Sequence, residues 1–160
     1  MIAIIVYLAL IMNSSLTVTS SSFVENGLIP SKYTCEGSSV NPPIHITNLP
    51  ADTKSIAIIV HDPDAQMEGG FTHWVACNID PVADIPEAFK GGMEGMNGAK
   101  KPGYIGPCPP SGTHHYHFMV YALDSKLKFD KSPNKEELEK AMKDHILSKG
   151  DLVGLYKKFK

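Results

Sequence analysis

GPCPPSGTHHYHFMVYAL, residues 106–123, is the stretch that decides the fold. It begins as a loop stiffened by prolines and continues from Thr113 with β-branched, aromatic and aliphatic residues, which predicts a strand. Alternate side chains of a strand share a face, so His114 and Tyr116 lie together at its polar end while His115 faces the opposite way. Past Phe118 both faces are apolar, and we expect that half of the strand to be buried on both sides.

Several other runs predict strands. Ser55–His61 is almost continuously apolar and β-branched, which is typical of a strand buried on both faces. Alternation along Phe71–Ile79 places one group of side chains on a common face: His73, Val75, Cys77 and Ile79. Shorter strands are predicted at Leu16–Val24, which we place at a sheet edge, and at Ile44–Ile46, Asp124–Asp130 and Leu152–Phe159.

One late stretch predicts a helix, because its apolar positions recur at helical spacing. Those positions are Leu138, Ala141, Met142, His145 and Ile146. Ser132 or Asn134 can cap the start of the helix, and Gly150 is a plausible stop. Many strands, turn-rich connections and a single clear helix favour a mainly β fold, an antiparallel sandwich or barrel with a peripheral helix.

Length and composition bound the class of protein. At 160 residues a single domain is expected, and we assign it to residues 16–160. A net charge of −2 gives no indication of a nucleic-acid partner. The apolar run Ile2–Met12 is too short to cross a bilayer as a helix. Residues 1–15 therefore indicate either a signal-like leader or a start site assigned too early, so we expect a cytoplasmic protein with export as the alternative.

The chain has three cysteines, and their spacing matches no zinc motif. Cys77 lies on a strand face with apolar neighbours and is expected to be a buried free thiol. If any disulfide forms, Cys35 and Cys108 are the better pair, because both lie in predicted loops. His115 and His117 have metal-ligand spacing, but no third ligand supports them, so we predict no metal site and no cofactor.

Polar side chains gather where three predicted strands end. Asp62 and Asp64 form a DPD turn after one strand, and His73 lies near the start of the next. Together with His114 and Tyr116 they would form a pocket for a phosphate-like anion, in which a carboxylate orients a protonated imidazole that donates to the anion. Taken alone, each residue has a simpler interpretation. Asp62 and Asp64 could be turn formers, and His73 could be a core histidine bonded to a carbonyl. His114 and Tyr116 could be polar rings at a strand end.

Three linked motifs resemble the signature of the phosphatidylethanolamine-binding protein family, closest to its bacterial and archaeal, Raf kinase inhibitor-like branch. They are HDPDA at 61–65, FTHWV at 71–75 and GPCPPSGTHHY at 106–116. The resemblance implies a Greek-key β-sandwich with one or two short peripheral helices and a small anion pocket. Matched motif by motif, it implies anion-binding roles for Asp62, His73, His114 and Tyr116. Supporting roles fall to Asp64, Pro110 and Gly106.

This sequence departs from the family pattern at two positions. Gln66 replaces a proline, so we expect a trans peptide between Ala65 and Gln66, because a cis bond to a non-proline costs ~3 kcal/mol. His115 replaces an arginine, which puts in doubt a supporting charge contact more than the pocket itself, since His115 faces away from it.

The resemblance and the residues together favour a non-catalytic binding protein, in a regulatory role, for a phospholipid headgroup or a nucleotide-like ligand. The main alternative is an inhibitor that contacts a protease or kinase through the loops around the pocket. A hydrolase built on Ser111, His114 and Asp62 is the weakest hypothesis, because Ser111 does not lie in a nucleophile-elbow motif. Prokaryotic relatives are often homodimers, so a homodimer is expected.

Overall fold

The computed structural model describes residues 15–158 of the chain. Within that range the chain forms two β-sheets, one α-helix and a short 3-10 helix at Ser31–Tyr33. The elements in chain order are β1 Thr17–Thr19, β2 Gly27–Leu28, β3 Ile44–Thr47, β4 Ser55–Asp62, β5 Phe71–Ile79, β6 Asp84–Ile85, β7 Met93–Glu94, β8 His114–Leu123, α1 Lys135–Met142 and β9 Ile146–Tyr156.

The two sheets form a sandwich. The smaller sheet has the order β1-β3-β6, and the larger has the order β2-β9-β8-β4-β5-β7. Apolar side chains from both sheets meet between them, among them Val18, Ile46, Ile58, Trp74 and Phe118. The predicted mainly β sandwich with one or two short helices is therefore confirmed, and the pairing is antiparallel except between β2 and β9, which run parallel.

The outer face of the larger sheet is also buried in its central part. Ala57, Ile59, Val75 and Cys77 pack there with Leu138 and Met142 of α1. This second apolar layer explains why β4 shows no polar alternation, as the sequence predicted. Asn134 caps the start of the helix: its side chain accepts from the Glu137 amide and completes a capping box.

The C-terminal prediction was wrong in its boundaries. The helix ends at Met142, and of the residues predicted to continue it His145 lies in a turn and Ile146 begins β9, which pairs with β8 from His114↔Tyr156 to Leu123↔Ile146. This long ladder overrides the helical spacing of Ile146. Gly150 lies inside β9 rather than at a helix end, and a Cβ there would lie 2.5 Å from the Leu16 carbonyl oxygen.

Two other predicted strands are shorter or absent. Strand β1 covers only Thr17–Thr19, because the Ser20 hydroxyl turns to the Pro43 carbonyl and accepts from the Ser22 amide. It does lie at a sheet edge, as expected. Asp124–Asp130 forms no strand, and Leu127 instead packs under α1 with its amide donating to the Asn78 side chain.

Simple alternation fails along β5, because the ladder with β4 is interrupted twice. Near one end Asn78 has a φ of 55°, and Ile79 packs in the inner core with Trp74 and Ala76 rather than with Cys77. At the other end Val60 pairs with Trp74 but His61 pairs with Thr72, which leaves His73 as the extra residue of a β-bulge. Bulges of this kind re-aim a side chain, and this one turns His73 toward the mouth of the sandwich.

Cys35 and Cys108 form a disulfide with a Cα–Cα distance of 5.4 Å, and Cys77 is a buried free thiol, both as predicted. The Ala65–Gln66 peptide is trans, also as predicted.

The expected leader, residues 1–15, lies outside the described residues except for Ser15. Over residues 15–158, no helix is long and apolar enough to cross a membrane.

Candidate functional site

A cavity of about 310 Å³ opens at one end of the sandwich, where β4 ends and β5 and β8 begin. Strand ends supply its polar floor, and the loop after β4 and the proline-rich loop before β8 form its walls. The lining residues are Asp62, Ala65, Gln66, Met67, Phe71, His73, Ile105, Gly106, Cys108, Pro109, Pro110, His114 and Tyr116.

The Asp62 carboxylate is buried and held by three donors. Its Oδ1 accepts from the amides of Asp64 at 2.9 Å and Ala65 at 3.1 Å, which fixes the DPD turn. Its Oδ2 accepts from Nδ1 of His114 at 2.8 Å. That bond fixes the proton of His114 on Nδ1 and leaves Nε2 as the nitrogen available to a ligand.

His73 is held by a carbonyl rather than by a carboxylate. Its Nδ1–H donates to the Ile105 oxygen at 2.7 Å, while the Ile105 amide donates back to the His73 carbonyl at 2.9 Å. Burial lowers the pKa of His73. The His73 ring is therefore neutral near pH 7 in the ligand-free protein, with a lone pair on Nε2, and the imidazole that a carboxylate orients is His114.

Tyr116 lies between the two histidines. Its ring is edge-on to His73, with centroids 5.2 Å apart, and stacked with His114 at 6.4 Å. The side chain is fully buried, yet its hydroxyl has no hydrogen-bond partner among the residues that the structure describes. Burial, together with the charge and the acceptor oxygens of the nearby Asp62, raises the pKa of Tyr116, so the hydroxyl stays neutral and can donate. Its position relative to Asp62 is nevertheless not that of a normal hydrogen bond.

No lysine or arginine lines the cavity within residues 15–158. Asp62 is the one carboxylate among the lining residues, and its oxygens are already occupied by three protein donors. A bound anion would therefore meet the Tyr116 hydroxyl and the Nε2 atoms of two histidines. Any positive charge opposite the anion has to come from a proton on one of those rings.

Six of the seven residues predicted for the site lie around this one cavity: Asp62, His73, Gly106, Pro110, His114 and Tyr116. Asp64 does not. Its carboxylate faces the outer side, where Oδ2 accepts from the amide of His115 at 2.8 Å and from its Nδ1 at 2.7 Å. These bonds lower the pKa of Asp64, and they give it a role in holding the turn rather than in lining the cavity.

His115 and Ser111 also stand outside the cavity. His115 is exposed on the opposite face of β8, as the alternation predicted. Ser111 is exposed in the proline-rich loop and does not line the cavity, so the nucleophile of the hydrolase hypothesis is not placed beside His114. Over residues 15–158, no three His, Cys, Asp or Glu side chains converge in a way that could hold a metal ion.

Sequence reasoning missed most of the apolar lining. Phe71 could have been found, because it lies two residues before His73 on the same strand, and the two rings pack edge-on at 4.8 Å. Met67, Ile105 and Cys108 lie in loops, where the sequence has no regular period from which the direction of a side chain could be predicted. The cavity is consequently more apolar than a site for a bare inorganic ion requires.

A family model described as phosphatidylethanolamine-binding protein matches residues 19–157. A UPF0098 protein of Pyrococcus horikoshii is 51% identical over 150 residues, which cover 87% of this chain and 75% of that relative.

Two solved structures share the fold. The phosphatidylethanolamine-binding protein homologue CT736 of Chlamydia trachomatis has a TM-score of 0.87 at 36% identity, with 91% of this chain and 99% of that chain covered. YbcL of E. coli, described as a member of the mammalian PEBP family, has a TM-score of 0.83 at 26% identity, with 91% and 100% covered.

Proposed function

The chain belongs to the phosphatidylethanolamine-binding protein family, and we propose that it is a non-catalytic binding protein for a small phosphate-bearing ligand such as a phospholipid headgroup or a nucleotide. One observation carries the proposal: Tyr116 lines the cavity, and its buried hydroxyl has no hydrogen-bond partner among the described residues. Leaving a buried polar group unsatisfied costs about 1–3 kcal/mol, so an acceptor oxygen supplied by a ligand would stabilise this hydroxyl.

Two histidines on either side of that hydroxyl favour an oxyanion as the acceptor. Nδ1 of each ring is committed to a protein oxygen, so Nε2 is free to donate once it carries a proton. Charge-assisted bonds of this kind contribute about 1.5–3 kcal/mol each. The apolar side chains of Phe71 and Ile105 would contact the organic part of the ligand.

Binding should be coupled to protonation. His73 is neutral in the ligand-free protein near pH 7, because burial lowers its pKa, and its Nε2 then repels an anionic oxygen. An oxyanion therefore binds with uptake of a proton, or it brings its own proton as a ligand hydroxyl. Affinity is expected to rise as the pH falls and His73 takes up a proton, and to decrease as the pH rises.

Calorimetric titration of phosphoethanolamine tests the proposal. The variants are His73→Ala and His114→Ala, with His115→Ala as a matched control on the opposite face of β8. We expect each of the first two to weaken binding about tenfold or more, equivalent to about 1.4 kcal/mol, and the control to bind like the wild type. Loss of binding in His115→Ala alone would show that the proposal has the site on the wrong face.

Titrations at two pH values, each in two buffers with different heats of ionisation, measure the proton uptake. A heat of binding independent of the buffer, with an affinity independent of pH, would contradict the coupling while leaving the binding site itself intact.

A second role, inhibition of a protease or kinase by contact, is favoured by the exposed side chain of Met67. It lies at the cavity rim on the loop between β4 and β5, and 58% of its surface is accessible. Steady-state inhibition assays against trypsin-like and chymotrypsin-like proteases and a protein kinase test this role. Inhibition that is lost in Met67→Ser would support it, and no inhibition by the wild type would reject it for these enzymes.

A further inference from the structure

We propose that the Cys35–Cys108 disulfide is a thiol-exchange site that controls how tightly the cavity holds its ligand, an inference that rests on the ligand-binding function proposed above. Cys108 lies in the wall of the cavity, between Pro107 and Pro109. Its partner Cys35 lies 73 residues earlier, just after the 3-10 helix. The bond therefore ties the cavity wall to a separate part of the surface.

Both cysteines are exposed, so a thiol can reach the bond without prior unfolding. Exposed disulfides are as a class the reducible ones, whereas structural disulfides resist reduction. The third cysteine differs, because Cys77 is buried and burial raises its pKa to about 11. A thiol reagent that acts on the folded protein should therefore act at the cavity wall and not at Cys77.

The wall has few other supports on its cavity side. Pro107, Pro109 and Pro110 have no N–H group, so they cannot donate the backbone hydrogen bonds that usually hold a loop. Gly112, with a φ of 72° and no atom within 4 Å of the point where a Cβ would lie, adds an unrestrained turn before β8. Opening the disulfide removes the covalent support of the wall and leaves this segment to move away from His114.

Other bonds hold the two segments near each other when the disulfide is open. The Cys35 amide donates to the Pro107 carbonyl at 3.0 Å, and the Gly106 amide donates to the Ser39 hydroxyl at 2.8 Å. The Tyr156 hydroxyl donates to the Glu36 carboxylate beside Cys35. Reduction should therefore loosen the wall reversibly rather than unfold the domain, as a regulatory bond requires.

The exchange partner is a dithiol, either a small molecule or a protein. One thiolate of the dithiol attacks a sulfur of the bond, forms a mixed disulfide and releases the other cysteine as a thiolate, which takes up a proton. The second thiol of the partner then attacks the mixed disulfide, releases the remaining cysteine and leaves the partner oxidised. Two electrons pass from the partner to the protein, and reoxidation reverses each step.

Titration of phosphoethanolamine into the oxidised protein and into the protein reduced with dithiothreitol tests the proposal. Thiol counting in denaturant verifies the states, with one free thiol expected in the oxidised chain and three in the reduced chain. We expect binding at least tenfold weaker after reduction. A Cys35→Ser/Cys108→Ser variant should bind phosphoethanolamine as weakly as the reduced wild type, and dithiothreitol should not change its affinity. In Cys77→Ser, dithiothreitol should weaken binding as it does in the wild type.

Hydrogen exchange of the amides at 111–115 gives a readout that needs no ligand. After reduction it should accelerate by a larger factor than exchange along β4, which follows the loss of global stability. Equal affinity in both redox states, or equal exchange at 111–115, would overturn the redox proposal alone. If the oxidised protein binds no phosphoethanolamine, the proposed function fails. Faster exchange of the amides at 111–115 after reduction would still show that the cavity wall responds to the disulfide. Acceleration by the same factor at 111–115 and along β4 would show that the bond only stabilises the domain as a whole.

Discussion

Replacing Tyr116 with phenylalanine should separate binding from stability. The side chain is fully buried and its hydroxyl has no partner among the described residues, so Tyr116→Phe removes no protein hydrogen bond. We expect the free energy of unfolding of the ligand-free protein to stay within about 1 kcal/mol of the wild type, because nothing is left unsatisfied. A donor to an anion is lost, however, at a cost of roughly 1.5–3 kcal/mol, which is about tenfold or more in affinity.

Tyr104→Phe is the matched control for this substitution. The Tyr104 hydroxyl donates to the Tyr33 carbonyl at 3.0 Å, and Tyr104 does not line the cavity. Its loss should cost about 1 kcal/mol of stability, a fall of roughly 2–4 °C in Tm, without a change in affinity. Thermal unfolding and titration calorimetry measure both effects. If Tyr116→Phe destabilises the protein and binds like the wild type, the hydroxyl has a structural partner and the reasoning is refuted.

Three further predictions concern stability. Burial lowers the pKa of His73 and of His61 in the folded protein. Both side chains therefore take up protons more readily in the unfolded chain than in the folded one, and the free energy of unfolding should fall as the pH drops below about 6.5. Denaturation at pH 7.5 and 5.5 checks this, and an equal or steeper pH dependence in His73→Asn would contradict it. Opening the Cys35–Cys108 bond should cost about 4 kcal/mol in the chain-entropy estimate for its 73-residue separation, and a reduced protein with an unchanged denaturation midpoint would contradict it. Deleting residues 1–11 should leave Tm within a few degrees, and a larger fall would show that they support the domain.

The strands with strong local patterns were predictable from the sequence. Ser55–His61 is almost continuously apolar because both faces of β4 are covered, and Phe71–Ile79 is bounded as predicted. The cavity floor was also predictable, because Asp62, His114 and Tyr116 come at strand ends that meet at the same end of the larger sheet.

Where the sequence predictions failed, contacts between residues far apart in the chain decided the structure. Ile146 has helical spacing with Met142, but pairing with the whole length of β8 decides its conformation. The bulge that leaves His73 unpaired depends on the register between β4 and β5, which no local pattern of β5 encodes. The sequence allowed a carbonyl as the partner of His73, but it could not identify Ile105, which lies 32 residues away in a loop.

Crystallisation of the oxidised protein with phosphoethanolamine tests the central claim most directly. We predict a phosphoryl group in the cavity, with its oxygens within hydrogen-bond distance of the Tyr116 hydroxyl and of Nε2 in His73 and His114. A cavity filled by water alone at saturating ligand, or a ligand bound on the outer face beside His115, would contradict the account.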